Sequence, residues 1–223
     1  MFKKRSIKLR LLISLLILFV IASTALIDGS ISMYSYKKTL IETHQENNYN
    51  YVKKLAGTTE HQLNYMQQNI VAIGEFAGNH TFSQKDLDQW YEANKSHFNS
   101  IFLTDEEGTI TLISPSIVQF KDFDPITAGI QIDSESFKRA LSEREPFISD
   151  PYYAMSGQLI ALISAPIFKD DDGEFQGVIG GTIHIECDNV LKCILGNHHF
   201  EREDSYVYVV DYTGTLIYHP DDE

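Results

Sequence analysis

Several residue types on which common classes of protein depend are scarce in this chain. It holds only two cysteines among 223 residues, too few for a disulfide framework. Basic residues are also in the minority, with 18 Lys and Arg against 31 Asp and Glu, which gives a net charge of −13. An acidic chain repels phosphate backbones, so its composition argues against DNA or RNA as a partner.

Motifs of the familiar catalytic and metal-binding classes are missing as well. The sequence contains no G-x-S-x-G, P-loop, G-x-G-x-x-G or H-E-x-x-H pattern. The acidic run at residues 170–174 lacks the alternating ligands and the twelfth-position glutamate of a calcium loop. His198 and His199 have no cysteine pair or second histidine motif that would complete a zinc site. We therefore expect no catalytic residues, no metal site and no cofactor.

Charge is absent from residues 11–27, which read LLISLLILFVIASTALI. About 20 such residues, at ~1.5 Å each, cross a hydrocarbon core of ~30 Å. The five basic residues before this run are Lys3, Lys4, Arg5, Lys8 and Arg10. By the positive-inside rule, residues 1–10 form a cytoplasmic tail, residues 11–29 a single transmembrane helix, and the remainder lies outside the cytoplasm. A cleaved signal peptide is the alternative, since Ser23 and Ala25 have a cleavage-like spacing.

Proline is absent from residues 28–78, and apolar residues recur there at helical spacings. The recurring residues are Leu55, Leu63, Met66, Ile70, Ile73 and Ala77. Because no proline interrupts it, this pattern predicts one long helix over residues 30–78, with Gly57 and Gly74 as weak points. Ser83 followed by Asp86 resembles a capping box and predicts the start of a second helix.

From Ser100 onward the pattern changes to that of strands. The segments IFLTD and TITLIS flank a turn at residues 105–108 and predict a hairpin. Residues 115–133 show no clear period and predict a loop, and residues 134–142 predict a short helix. Two long strands, QLIALISAPIF and FQGVIGGTIHI, follow on either side of the turn at residues 171–173. Connections this short exclude parallel crossovers, so we expect an α+β fold with an antiparallel sheet.

An internal repeat relates two hairpin sequences. FLTDEEGTITLISP is echoed later in the chain by YVVDYTGTLIYHP. Asp105 matches Asp211 and Gly108 matches Gly214, both at an offset of 106 residues. A fixed offset of one domain length predicts that the same hairpin opens a second copy of the fold. The alternative is a generic D-x-x-G turn that two unrelated hairpins share.

The order of these features resembles a known family. A single anchor and a long helix precede the ordered motifs S-D-P-Y, S-G, A-P-I, G-x-x-G-G-T and V-V-D-x-x-G. Together they resemble the double Cache sensor module of bacterial membrane receptors. The resemblance implies a transmembrane helix that continues into a long signalling helix over residues 30–78, packed on a PAS-like antiparallel sheet. It also implies a membrane-distal Cache sensor domain over residues 79–200 and the first hairpin of a truncated membrane-proximal unit over residues 201–223.

The resemblance also implies a function. Such modules sense small molecules outside the cytoplasm and feed a chemoreceptor hairpin, a histidine kinase or a diguanylate cyclase. GVIGGTIHI followed by NVLKCILGNH is most similar to sensor diguanylate cyclases, so we expect the ligand-sensing, N-terminal part of such a cyclase. The alternatives are the sensor of a kinase or chemoreceptor, a membrane-tethered binding protein without output, and a truncated product without function. A homodimer through the long helix is a further expectation.

The kind of ligand follows from residues that this chain lacks. Amino-acid-binding members of the family carry an Arg-x-Trp-Tyr stretch and an aspartate, and Ser134, Ser136 and Thr182 stand at the Arg, Trp and Asp positions. A ligand carboxylate needs a fork of donors, and an ammonium needs a buried acid. We therefore expect a small, uncharged or weakly polar ligand and not a free amino acid. The expected ligand-binding residues are Phe137, Asp150, Tyr152, Tyr153, Ser164, Thr182 and His184.

Tyr152 and Asp150 are expected to form the lip of the pocket. Pro151 fixes its own φ near −65° and biases Asp150 away from helix, so the chain turns outward at this point. A tyrosine at such a turn offers an apolar ring and a hydroxyl to a ligand. The alternative is that the seven residues are ordinary inward-facing residues of a sheet.

Overall fold

The computed structural model describes residues 9–118, 125–169, 173–185, 207–210, 214 and 216–218. The basic residues of the tail up to Lys8, both cysteines, His198, His199 and Asp211 lie outside the described residues. The described helices are α1 (Leu9–Asn79), α2 (Gln84–Asn94) and α3 (Glu135–Glu143). The strands are β1 (Ser100–Thr104), β2 (Ile110–Ser114), β3 (Phe147–Ile148), β4 (Tyr152–Tyr153), β5 (Leu159–Phe168), β6 (Phe175–His184), β7 (Val209–Val210) and β8 (Leu216–Tyr218). The chain divides into two compact units, Met1–Lys54 and Leu55–Glu223.

The first unit contains the apolar segment of α1. By length and composition this segment can cross a membrane, although a signal sequence near an N-terminus meets the same criterion. Its hydroxyl side chains are satisfied within the helix: Ser14 Oγ donates to the carbonyl of Arg10 at 2.9 Å, and Thr24 Oγ1 to that of Val20 at 3.0 Å. A helix in lipid must form the hydrogen bonds of its backbone and hydroxyl groups within itself, because no water is available there.

Helix α1 does not break at either glycine that the sequence predicted as a weak point. In the second unit, Gly74 instead allows the helix to lie close to the sheet. A Cβ at Gly74 would lie 3.1 Å from Cγ2 of Ile179, and one at Gly78 would lie 2.0 Å from the carbonyl oxygen of Phe168. Glycine weakens a helix by about 1 kcal/mol relative to alanine, and here close helix–sheet packing offsets that cost.

The two short helices begin as their sequences predict. At α2 the capping box is present, and the backbone N–H of Ser83 donates to the carboxylate of Asp86 at 2.9 Å. Hydrogen bonds from the hydroxyl of Ser83 and, to a lesser extent, from its backbone N–H hold the pKa of Asp86 below its usual value. At α3 the hydroxyl of Ser134 caps the helix by accepting from the backbone N–H of Phe137 at 3.3 Å.

Six strands form one antiparallel sheet in the order β2-β1-β6-β5-β3, with β4 also paired to β5. The α+β fold with an antiparallel sheet is therefore confirmed. The long strands β5 and β6 form its centre, and β1 joins them with Ser100 opposite Thr182. The sequence did not predict this pairing or the two-residue strands β3 and β4.

The two faces of this sheet bury different residues, because successive side chains on a strand point to opposite faces. We call them the α1 face and the α3 face. On the α1 face, residues of β1, β5 and β6 join α1 in a core that contains Met66, Ile70, Ile73, Ile101, Leu103, Ile163, Ile179 and Ile183. On the α3 face the core contains Phe102, Ile110, Ile113, Phe137, Leu162, Phe175 and Val178.

Two consecutive glycines in β6 bring aromatic rings against the backbone from both sides. A Cβ at Gly180 would lie 2.5 Å from Cζ of Phe102 on the α3 face. A Cβ at Gly181 would lie 2.5 Å from Cδ1 of Phe98, a ring in the core of the α1 face. Both rings are almost fully buried. Because Gly180 and Gly181 have no side chains, the two rings pack directly on the backbone of β6.

The hairpins β1–β2 and β7–β8 share one register, as the repeat predicts. Equivalent pairs at the offset of 106 residues are Thr104–Ile110 with Val210–Leu216, and Leu103–Leu112 with Val209–Tyr218. The register shift falls at the equivalent step of β1 and β7. The turn glycines also match, since Gly108 has a φ of 85° and Gly214 a φ of 87°. These left-handed values favour glycine over other residues.

Candidate ligand-binding cavity

A cavity of about 70 Å³ lies on the α3 face of the sheet. Its apolar lining residues are Phe102, Ile110, Ile113, Val118, Ile126, Ile130, Ile132, Phe137, Ala154, Met155 and Ile160. Its polar lining residues are Ser100, Ser134, Tyr152, Ser156, Thr182 and His184. A mostly apolar wall with a few polar groups is typical of a small-molecule site. None of the described lining residues is Asp, Glu, Lys or Arg.

Two neighbouring strands supply the first polar contact of the wall. Strand pairing places Ser100 of β1 directly opposite Thr182 of β6. Their hydroxyl oxygens lie 2.6 Å apart, so one hydroxyl donates to the other. The accepting hydroxyl keeps its own hydrogen, because each serine or threonine carries one donor and two acceptor sites. The pair can therefore still donate to a ligand.

His184 lies two residues further along β6 and on the same face. The side chain of Asn99 fixes the end of this strand by accepting from the backbone N–H of His184 at 2.8 Å. Only 5 % of His184 is exposed, and burial lowers the pKa of its ring. The imidazole is therefore neutral at neutral pH, with one donor and one acceptor nitrogen.

Tyr152 reaches the wall from the edge strand β4. Its phenolic oxygen lies 3.4 Å from the hydroxyl of Ser134, the residue that caps α3. Burial raises the pKa of Tyr152, and the hydrogen bond with Ser134 opposes that change in part. The tyrosine therefore stays protonated at neutral pH, and the described wall carries no formal charge.

The structure brings some of the predicted site residues together and leaves others apart. Phe137, Tyr152, Thr182 and His184 lie on the cavity wall. Asp150 is exposed, and Tyr153 is 72 % exposed on the opposite side of β4 from Tyr152. Ser164 is fully buried in β5 but does not line the cavity, and its hydroxyl has no hydrogen-bond partner in the structure.

Sequence reasoning missed most of the wall. Ser100 and Phe102 alternate along β1, which is a signal for one face of a strand, but their partners on β6 are about 80 residues away. Ile126, Ile130 and Ile132 lie in a segment that was predicted as a loop because it has no period. The frequency of isoleucine in that segment is unusual for an exposed loop, and it is the signal that could have indicated a buried connection.

The described residues therefore combine an antiparallel sheet, a long helix on one face and a cavity without charged lining side chains on the other. The sequence pattern of the Cache domain family matches residues 33–223, which is most of the chain. The chain therefore belongs to the Cache domain family.

Solved structures with the same fold include one ligand-binding receptor and two chemoreceptor ligand-binding domains, from three bacteria. The extracellular ligand-binding receptor from Desulfohalobium retbaense has a TM-score of 0.60 at 18% identity, covering 76% of this chain and 30% of its own. The ligand-binding domain of the Pseudomonas fluorescens chemoreceptor CtaA, in complex with L-serine, has a TM-score of 0.57 at 24% identity, covering 79% and 74%. The ligand-binding domain of the Pseudomonas aeruginosa amino acid chemoreceptor PctC, in complex with GABA, has a TM-score of 0.52 at 20% identity. The match covers 77% of this chain and 76% of the PctC domain.

These similarities establish a shared fold. This chain spans less than a third of the Desulfohalobium receptor and about three quarters of the CtaA domain. No curated protein matches the chain. What the domain binds must therefore be argued from its own cavity.

Proposed function

We propose that the chain is the extracytoplasmic ligand-sensing part of a bacterial membrane receptor, with no catalytic role of its own. The observation that carries this proposal is the cavity on the α3 face, directly across the sheet from the residues that pack on α1. A ligand that binds better to one packing of this sheet shifts the population of that packing. Because α1 also contains the apolar segment, this element connects the sensing fold to the membrane.

The membrane topology is part of the proposal. Residues 1–10 are cytoplasmic, residues 11–29 cross the membrane once and residues 30–223 are extracytoplasmic. The five basic residues on one side of the apolar run support this orientation. Alkaline phosphatase fused after Leu195 should be active, and a cytoplasm-dependent fluorescent protein at the same point should be dark. The reverse pair of results would overturn the topology.

We further propose that the ligand is not a free α-amino acid. The CtaA and PctC structures hold L-serine and GABA, but the described wall here offers no Asp, Glu, Lys or Arg side chain to the charged groups of a zwitterion. The test is a thermal-shift screen of the full chain in nanodiscs against the standard amino acids and a panel of neutral metabolites. A saturable upward shift with an amino acid, lost in the cavity-filling variant Ala154→Phe, would contradict this proposal.

Two outputs remain as proposals. The motif GVIGGTIHI favours a diguanylate cyclase, and membrane-distal and membrane-proximal units over residues 79–200 and 201–223 would then precede it. The fold similarity to chemoreceptor ligand-binding domains favours a chemoreceptor output equally. The genomic sequence after codon 223 distinguishes them, because a cyclase and a chemoreceptor hairpin have unrelated sequences.

A homodimer through the long helix completes the proposal. After the apolar run, the part of α1 in the first unit has further exposed apolar side chains, among them Tyr34, Ile41 and Val52. Burial of such side chains between two copies would remove apolar surface from water. The test is oxidative cross-linking of Ile41→Cys in membranes, in a background without the native cysteines. A monomeric product at every oxidant concentration would contradict the dimer.

A further inference from the structure

One group of polar residues and one group of isoleucines in the cavity come from different elements. Ser100, Thr182 and His184, which we call the polar end, come from β1 and β6 at the middle of the sheet. The isoleucine wall, formed by Ile110, Ile113, Ile126, Ile130 and Ile132, comes from β2 and from the connection that follows it. This connection is tied to β2, since the N–H of Ile110 donates to the carbonyl of Ile130 at 2.9 Å. A molecule that touches both groups therefore meets hydroxyl and imidazole groups of β1 and β6 and hydrocarbon of β2 and the connection after it.

The described wall discriminates against charge. It has no acidic, lysine or arginine side chain, and burial keeps both His184 and Tyr152 neutral at neutral pH. An ionised group that enters such a site loses its hydration and gains no opposite charge in return. The cavity therefore selects an uncharged head group.

The hydroxyl pair of the polar end selects a head that can form hydrogen bonds. Ser100 and Thr182 share one of their two hydrogens, at an oxygen–oxygen distance of 2.6 Å. One O–H and the remaining lone pairs can still face a ligand. A head that can both accept and donate a hydrogen bond, such as a hydroxyl or a primary amide, can pair with this O–H and with the lone pairs. A purely apolar head would leave these polar groups unpaired.

The size of the cavity limits the apolar part of the ligand. At about 70 Å³, the cavity is about half as large as the ~150 Å³ cavity known to hold benzene. We infer that it binds a small neutral molecule with one hydroxyl or amide head at the polar end and a short aliphatic body, of about one or two carbons, against the isoleucine wall. This inference rests on the proposed sensor function and names the ligand class of its site.

Four probes of equal carbon length test the inference: acetamide, ethanol, acetate and ethylammonium. The protein is the full chain in nanodiscs at neutral pH, with 13C-labelled isoleucine δ1 methyl groups. Ile110 and Ile130 report on the cavity, and Ile70 and Ile101 on the α1 face serve as internal controls. We expect saturable shifts of the cavity methyls with the two neutral probes. Affinity for the two charged probes should be at least about tenfold weaker.

Matched variants locate the head group. Thr182→Val removes the hydroxyl at nearly constant volume and should weaken the affinity for acetamide roughly fivefold to tenfold. Thr111→Val makes the same change on the exposed side of β2, away from the cavity, and should leave the affinity unchanged. Ser100→Ala gives a second measurement if Thr182→Val does not fold.

The possible failures are distinguishable. Charged probes that shift the cavity methyls as strongly as the neutral probes would overturn the ligand class and leave a working binding site. Equal affinity of both cavity variants and the control would overturn the placement of the head. Failure of both neutral probes to shift the cavity methyls would overturn the inference as a whole. The sensor proposal fails separately, through the membrane fusions and the metabolite screen.

Discussion

The same strands carry two different surfaces on the two faces of the sheet. On the α1 face, Ile101, Ile179 and Ile183 are fully buried in a continuous apolar core. On the α3 face, Ser100, Thr182 and His184 alternate with them and border a cavity. The difference teaches that stability and binding are separated by strand alternation, because neighbours one residue apart serve opposite faces. Each prediction below uses this separation.

The largest effect is expected on the α1 face. Ile179→Ala should lower the free energy of unfolding by about 2–5 kcal/mol, because Ile179 is fully buried among apolar neighbours and leaves a cavity. Thr182→Val, on the α3 face, should change stability by less than about 1 kcal/mol. Chemical denaturation of both variants measures the two changes in unfolding free energy. Equal losses of stability would mean that the two faces contribute equally to the stability of the fold.

A smaller loss is expected where the backbone touches the core of the α1 face. Gly181→Ala places a Cβ against the buried ring of Phe98 and should cost about 1–3 kcal/mol. Gly57→Ala is the matched control, since no atom lies within 4 Å of its Cβ position. There the substitution should be neutral or should stabilise the helix by up to about 1 kcal/mol. A neutral Gly181→Ala would show that Phe98 moves aside without cost.

On the α3 face, Tyr152→Ala should affect binding more than folding. Tyr152 is half-buried on an edge strand and lines the cavity, so we expect a stability loss of about 1 kcal/mol and loss of ligand-dependent stabilisation. Tyr153→Ala, on the exposed side of the same strand, should change neither quantity. Acetamide titrations measure the ligand response, and thermal unfolding measures the stability. Unchanged ligand response in Tyr152→Ala would remove Tyr152 from the site.

The smallest effect concerns pH, and one histidine lies near each face. Burial lowers the pKa of His184 on the α3 face and of His97, which contacts Tyr65 of α1. Below the ordinary value of 6.5, the unfolded chain takes up protons that the folded chain does not. Stability should therefore be fully present above about pH 6.5 and fall as the pH drops towards 5. His184→Gln and His97→Gln should each flatten part of this fall in denaturation series, and a fall unchanged in both would assign it to other groups.

What the sequence predicted correctly is encoded over short distances. The capping box at Ser83, the short helix that starts after Ser134 and the hairpin turn at Gly108 depend on residues within a few positions of each other. The pairing of Ser100 with Thr182 depends on residues 82 positions apart, and no local pattern specifies it. Strands β3 and β4 consist of two residues each and exist through their pairing with β5.

The sequence could predict a residue of the candidate site only where the alternation of side chains along one strand is enough to place it on the cavity face. Tyr152 and Tyr153 are adjacent in one strand, so they point to opposite sides and only one can line the cavity. Ser164 lies on the same face of the sheet as the cavity, but at a position along β5 that the cavity does not reach. It lies opposite Gly180 in the sheet, and the ring of Phe102 covers Gly180, so the wall ends at that ring. Such a boundary depends on a side chain from another strand.

The shared register of the two hairpins has a consequence for the order in which the fold assembles. The two hairpins have the same register, and each has a glycine with a left-handed φ at the equivalent position of its turn. The turn residues therefore favour the same geometry in both hairpins. Isolated hairpins form within about 1–10 μs, whereas joining β1 to β6 must first close a long loop at an entropic cost. The polar end of the cavity needs both strands, so it should be among the last parts of the domain to form, and a slow-folding variant would lose binding before it loses its hairpins.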